Sequence, residues 1–300
     1  MISRMSTSEL EYIPRIRAYY QALGYGKPYE WAQVSDVPFA ALGKPLSQAR
    51  IGIVTTAAPY KMGAGDQGPG APHNGLAKFF EVYAGGIDPE PDVRISHIAY
   101  DRVHTTARDR RTYFPLRALM AMAKQGVIGE LSPRFYGLPT NRSQRVTREV
   151  DGPALVSLCK EDNVDAVVLV PNCPVCHQSV ALAAHALETA GIASVIMGCA
   201  KDIVEHVGVP RFLFNNFPLG NGAGLPHDRE SQETSMRMAL DLLETADQPR
   251  TTVHSGLEWS GAADWQKDYS NPALLSREEI ARRRAAFDDV KAEAKVVKAG

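Results

Sequence analysis

Apolar positions along this chain follow two rhythms. One is a set of short, β-branched runs: Arg50-Ile-Gly-Ile-Val-Thr-Thr56, Asp165-Ala-Val-Val-Leu-Val170, Ala193-Ser-Val-Ile-Met197 and Val209-Pro-Arg-Phe-Leu-Phe214. Runs of this length and composition form strands buried on both faces. The other is a set of longer segments with helical spacing or helix-forming composition: residues 9–23, 115–124, 152–162, 179–190 and 229–245. Residues 93–100 and 135–141 add weaker strand signals, residues 251–275 show no clear period, and 276–297 reads as a charged helix with sparse apolar positions, a subunit clasp or a solvated tail. Strands that alternate with helices predict an α/β fold with doubly wound parallel sheets and right-handed crossovers. The pattern divides into an N-terminal helical arm (1–48), a first α/β half (49–145), a second α/β half (146–250) and a C-terminal extension (251–300). Two flavodoxin-like halves with a crevice between them are expected.

The candidate chemistry lies after the run that ends at Val170, where the chain reads Pro171-Asn172-Cys173-Pro174-Val175-Cys176-His177-Gln178. Open α/β sheets bind ligands at the carboxyl ends of their strands. A thiol at the start of the following helix meets unpaired N–H groups and the positive end of the helix dipole, which favour the thiolate. Cys173 is therefore expected to be a nucleophile of depressed pKa, and Cys176 to resolve its adduct as a disulfide. His177 stands where it can tune the thiols or act as an acid, and a capping or core role is open beside that one. Asn172 and Gln178 offer amide hydrogen bonds to a carboxylate, unless they satisfy the turn backbone. Two other loops follow strand ends: 57–74, rich in Gly and Pro, and 215–228, which holds Phe217-Pro-Leu-Gly220. Glycine there permits close backbone approach to a ligand. One pocket for a small carboxylate-bearing metabolite is expected, lined by Thr55, Thr56, Cys173 and the turn from Phe217 to Gly220.

Composition narrows the alternatives. With 33 basic and 34 acidic residues, the chain has no electrostatic case for nucleic acid or an anionic membrane as partner. No apolar run approaches the roughly 18 residues of a membrane span. The first residues lack an apolar leader segment and the four cysteines form no disulfide framework, so a cytoplasmic protein is expected. That setting also argues against covalent haem at Cys-x-x-Cys-His. Cys159 and Cys199 supply no second Cys-x-x-Cys, so no metal is expected; Cys159 should face the core, and burial is the favoured reading of Cys199. The glycines match no phosphate-binding fingerprint, which leaves nucleotide binding unsupported.

Four blocks in chain order resemble the substrate-specific B protein (selenoprotein B) of the glycine, sarcosine, betaine and D-proline reductases. They are Ile95-Ser-His97 with Asp101; Phe114-Pro115 followed by Gly126-Val-Ile-Gly129; residues 165–191; and Phe217-Pro-Leu-Gly220 with Gln232 beyond. In that family the position of Cys173 commonly carries selenocysteine, so the resemblance implies a cysteine-containing member. It also implies reductive cleavage of a carbon–nitrogen bond α to a carboxylate in amino-acid metabolism, with a pyruvoyl group supplied by a partner subunit. Glycine-type members have a third thiol where this chain has Ser179, which brings the motif closer to the D-proline type. The expected protein is thus a thiol-dependent reductase with no bound cofactor of its own, served by an external thioredoxin-like dithiol, and a homo-oligomer. Two rivals stand beside it: a non-redox cysteine-dependent isomerase, decarboxylase or lyase using Thr55 or Thr56 opposite the thiol, and a non-catalytic metal-binding or scaffold subunit.

Overall fold

The computed structural model describes residues 9–95, 97–262 and 264–299, so the first eight residues of the arm and Ser96 of the first block lie outside the described residues. Ten strands are present there: β1 (Arg50–Thr55), β2 (Ala58–Pro59), β3 (Tyr83–Gly86), β4 (Val93–Arg94), β5 (Glu130–Leu131), β6 (Arg134–Gly137), β7 (Ala166–Val170), β8 (Ala193–Gly198), β9 (Arg211–Phe214) and β10 (Thr251–His254). The helices are α1 (Tyr12–Ala22), α2 (Leu116–Lys124), α3 (Gln144–Val146), α4 (Gly152–Glu161), α5 (Pro174–Thr189), α6 (Lys201–Val207), α7 (Arg229–Thr245), α8 (Trp265–Asp268) and α9 (Arg277–Ala299).

Eight strands form one sheet in the order β10-β9-β8-β7-β1-β6-β3, with β5 also paired to β1. All are parallel except β3, which runs antiparallel on β6 at the edge. Alternate residues of β7 explain the helices on both faces. Val168 and Val170 join a cluster with Leu119 of α2 and with Met236 and Leu240 of α7. Val167 and Leu169 join a cluster with Leu155 of α4 and with Val180 and Leu187 of α5. This is the doubly wound arrangement that the apolar runs predict.

The sheet is single rather than split into two flavodoxin-like halves. β1 of the expected first half pairs with β7 of the second from Ile51 opposite Ala166 to Thr55 opposite Val170, which merges them into one layer. After β1 the chain builds β6 on one side, then crosses through α4 to β7 on the other. The carboxyl ends of β1 and β7 therefore meet at the topological switch point, where such sheets open a crevice.

Three sequence expectations need correction. Residues 93–100 do not add a strand to the main sheet; only β4 forms, antiparallel to β2, and the chain then turns over the sheet edge, where the Asp101 N–H donates to the Leu219 carbonyl at 3.2 Å. The region without period contains β10, whose half-exposed edge position leaves little apolar alternation to read. The charged C-terminal helix α9 is not a free tail: Arg284 donates to the Leu23 carbonyl at 2.8 Å and Phe287 meets Tyr20 ring to ring at 5.5 Å. Arm and extension also enter the core through Tyr12, Ile16, Trp265 and Tyr269. No helix among the described residues is long and apolar enough to cross a membrane.

Candidate functional site

The ends of β1 and β7 are latched together. The Thr56 N–H donates to the Val170 carbonyl at 3.4 Å, and the Asn172 N–H donates to Thr56 Oγ1 at 3.1 Å. Cys173 then takes an extended conformation and caps α5, its sulfur accepting from the Cys176 N–H at 3.3 Å. Pro174 is the first helical residue, where a missing N–H costs nothing, so α5 starts before the Ala-rich stretch that announces it. One turn of helix separates the two sulfurs. Cys173 retains 5% exposure and Cys176 none.

Two loops remote in sequence complete the cluster. Thr140, just beyond β6, places its hydroxyl 3.2 Å from Cys176 Sγ and 3.3 Å from His97 Nε2. Ligand atoms of His97, Cys173 and Cys176 all lie within 4.8 Å of one another. Burial opposes ionisation of Cys176, but the hydrogen bond from Cys173, the charge of His97 and hydrogen bonds from His97 and Thr140 outweigh it and hold this thiol well below its ordinary pKa. Cys173 is pushed well above the ordinary value, first by burial and then by its hydrogen bond to Cys176 and the charge there. Cys176 is thus the more readily ionised thiol of the pair and Cys173 the less. This reverses the expected depression at Cys173. A helix terminus contributes up to about 2 kcal/mol, whereas desolvation moves the pKa of a fully buried group by up to several units.

Several expected site residues turn out to hold the scaffold. His177 is fully buried; its Nδ1 is 2.8 Å from the Cys173 carbonyl, and its Nε2 accepts from the N–H groups of Cys199 at 3.0 Å and Ala200 at 3.2 Å. Those bonds require the neutral ring protonated on Nδ1, consistent with a pKa brought down to about 4, chiefly by burial. Neither nitrogen is left to move a proton to the thiols. Gln178 accepts from the Ala32 N–H at 2.7 Å and donates to the Tyr29 hydroxyl at 2.7 Å, so it ties the N-terminal arm to α5. Thr55 Oγ1 accepts from the Ala57 N–H at 3.0 Å, and Thr56 is the latch described above; both are fully buried. Phe217 lies under Trp259 with ring centroids 5.6 Å apart. Gly220, at φ +103°, lets its turn press on the 95–105 segment, where an added Cβ would come within 2.8 Å of Thr105.

The turn from Phe217 to Gly220 does sit on the same sheet edge as Cys173. Its neighbour Gly222 packs on Gly198 at the end of β8 and approaches the Pro171 carbonyl, 3.7 Å from where a Cβ would stand. The first and fourth resemblance blocks meet there as well. Asp101 and Thr105 hold Leu219, and Gln232 donates to Asp109 at 2.8 Å.

Asn172 is the one amide of the motif that the scaffold leaves unused. It is fully buried, and neither Oδ1 nor Nδ2 has a hydrogen-bond partner among the described residues. Such groups are rare in proteins, and each calls for a ligand or water. Sequence reasoning missed Thr140, the role of His97 beyond its block, and the arm residues Tyr20 and Tyr29. Burial raises the pKa of both tyrosines. Arg142, at φ +44°, stacks its guanidinium over Tyr29 at 5.3 Å. The available signal was positional: residues 138–142 follow a strand's carboxyl end.

Comparison with curated proteins finds relatives of one kind. The chain is 32% identical over 153 residues to the D-proline reductase subunit gamma of Acetoanaerobium sticklandii, covering 51% of this chain and 63% of the relative. It is 30% identical over 192 residues to the glycine reductase complex component B subunit gamma of Carboxydothermus hydrogenoformans, covering 62% and 43%. The corresponding subunit of Symbiobacterium thermophilum is 26% identical over 237 residues, covering 75% and 52%. The chain thus spans about half the length of the curated relatives it matches. No family model and no solved structure matches it.

Proposed function

We propose, from its similarity to these relatives, that the chain is a member of the reductase B-protein family and a thiol-dependent reductase that cleaves a carbon–nitrogen bond in a small carboxylate-bearing substrate. The observation that supports this reading is the Cys173–Cys176 pair at the switch point, set against His97 and Thr140 and beside the Asn172 amide, which has no hydrogen-bond partner among the described residues. Asn172 Nδ2 donates to the substrate carboxylate. Cys173, the residue of the pair with residual exposure, attacks the carbon that bears the amine and passes its proton to the Cys176 thiolate. A carbon–sulfur bond forms, the carbon–nitrogen bond breaks, and nitrogen leaves with the electron pair and a proton from solvent. Cys176, once deprotonated, then attacks the Cys173 sulfur; the disulfide forms and carbon leaves with the electron pair and a proton. The substrate gains two electrons and the thiols lose two.

An external dithiol of the thioredoxin type reduces the disulfide through a mixed-disulfide step. Activation of the amine falls to a pyruvoyl group on a partner subunit, in keeping with relatives named as subunits of reductases. Thr55 and Thr56 have their side-chain oxygens engaged with the backbone, so no observation favours the non-redox isomerase or lyase reading. The test is anaerobic incubation of the full chain with D-proline, or another amino acid, and with lysate of a D-proline reductase producer depleted of its gamma subunit. The expected result is substrate-dependent dithiol consumption that Cys173→Ser and Cys176→Ser both abolish. Substrate conversion without dithiol consumption overturns it.

A further inference from the structure

We propose that His97, Cys173 and Cys176 form a binding site for a soft divalent metal ion, with zinc the fitting case, and that the metal-bound state and the disulfide are alternative states of the same thiol pair. The inference does not rest on the reductase reading. Its basis is that the three side chains converge from two separate loops with their ligand atoms mutually within 4.8 Å. In a tetrahedral zinc site with Zn–S near 2.3 Å and Zn–N near 2.0 to 2.1 Å, ligand atoms stand about 3.5 to 3.8 Å apart.

The donor set is one that zinc selects: two sulfurs and an imidazole, with the fourth position open to water or a small ligand. A sequence search for a structural site asks for a second Cys-x-x-Cys, which this chain lacks. The third ligand is instead a histidine brought in by the loop after β4.

Two further observations indicate an absent occupant. His97 Nδ1 is enclosed without a hydrogen-bond partner among the described residues, and so are both amide atoms of Asn172, the residue next to Cys173. An outer support already exists, because the Thr140 hydroxyl sits between Cys176 and His97, 3.2 and 3.3 Å from their sulfur and Nε2. Partners of this kind orient metal ligands and strengthen binding. The other nearby candidates are committed elsewhere. His177 uses both ring nitrogens on the backbone, and the Cys199 thiol faces the Pro218 carbonyl at 3.9 Å. Metal on both sulfurs blocks disulfide formation and nucleophilic attack alike, so it protects the reduced pair until a stronger thiol ligand or a chelator removes it.

The test is anaerobic titration of the reduced, metal-free full chain with Co2+ and, against a chromophoric chelator, with Zn2+. One equivalent is expected to bind, with sulfur-to-cobalt charge-transfer absorption of two thiolates and the visible bands of a tetrahedral ion. Cys173→Ser and Cys176→Ser should each remove about half of that absorption. His97→Ala and His97→Gln should weaken Zn2+ binding at least tenfold while circular dichroism reports a native fold, and Thr140→Val should weaken it about tenfold. Saturating Zn2+ should protect both thiols from alkylation. Millimolar binding that is indifferent to His97, or two alkylatable thiols at Zn2+ saturation, overturns the site. Failure here alongside a Cys173–Cys176 disulfide formed on turnover leaves the reductase reading standing, whereas tight zinc binding without dithiol-linked turnover removes that reading and keeps this one.

Discussion

Two strand ends of this sheet begin alike and finish differently. β7 and β8 both run into a short turn with a cysteine and then a helix, on the same edge of the same sheet. At the end of β7, Cys173 and Cys176 meet His97 and Thr140, and these polar neighbours lower the pKa of the Cys176 thiol. At the end of β8, Cys199 is enclosed beneath the 217–221 turn, and burial pushes its thiol up to about 12. The backbone N–H groups of Cys199 and Ala200 are taken by His177 Nε2. A strand-end helix start is therefore not enough to activate a thiol. Desolvation dominates unless other loops deliver hydrogen bonds and charge.

The largest expected effect tests that contrast directly. Cys173→Ser and Cys176→Ser should each lower dithiol-linked turnover by a thousandfold or more, while Cys199→Ser should stay within a few-fold of the parent. A folded Cys199→Ser protein as inactive as the other two would erase the distinction between the two strand ends.

His177 is the link between them, and its loss should appear in stability. His177→Ala leaves the N–H groups of Cys199 and Ala200 unpaired in the interior and opens a cavity, at a cost of about 3 to 5 kcal/mol in urea unfolding, while the Cys173 carbonyl keeps the backbone N–H of residue 177. Unchanged stability with turnover lost would return His177 to a chemical role.

A smaller effect separates the two sulfurs' surroundings. Thr140→Val removes one hydrogen bond from Cys176, worth about 1 kcal/mol, and should slow alkylation of the pair about fivefold at neutral pH. An unaltered rate means that Thr140 does not stabilise the thiolate.

The smallest concerns the third loop of this edge, after β9, which Asp109 anchors. Its carboxylate accepts from the His227 N–H at 2.7 Å, Gln232 Nε2 at 2.8 Å and the Arg111 N–H at 3.1 Å. Burial alone raises its pKa, but these bonds and the charge of Arg111 outweigh it and leave the pKa lowered. A carboxyl group depressed on folding stabilises the protein above its unfolded value of about 3.9 and loses that contribution as pH falls through the folded value. Asp109→Asn should thus be less stable than the parent near neutrality and flatter in its acid dependence. Parallel stability–pH curves for the two proteins would show that the loop does not depend on the carboxylate charge.

Much of this architecture is legible from local pattern. Two-sided apolar runs announce β1, β7, β8 and β9, and the Gly191 stop and the spacing of 229–245 announce their helices, because burial on both faces and helix termination act over a few residues. The place of Cys-x-x-Cys at a strand's carboxyl end follows from the same pattern, as do the blocks shared with the reductase B proteins. The single sheet, the opposite pKa shifts of Cys173 and Cys176, the removal of His177 and Gln178 into the scaffold, and the arrival of His97 and Thr140 do not. They depend on which loops meet over the switch point and how completely those loops exclude water. Proximity across long stretches of chain and the desolvation it brings are properties of the packed whole, so the motif's residues were set by the sequence and their roles by the tertiary structure.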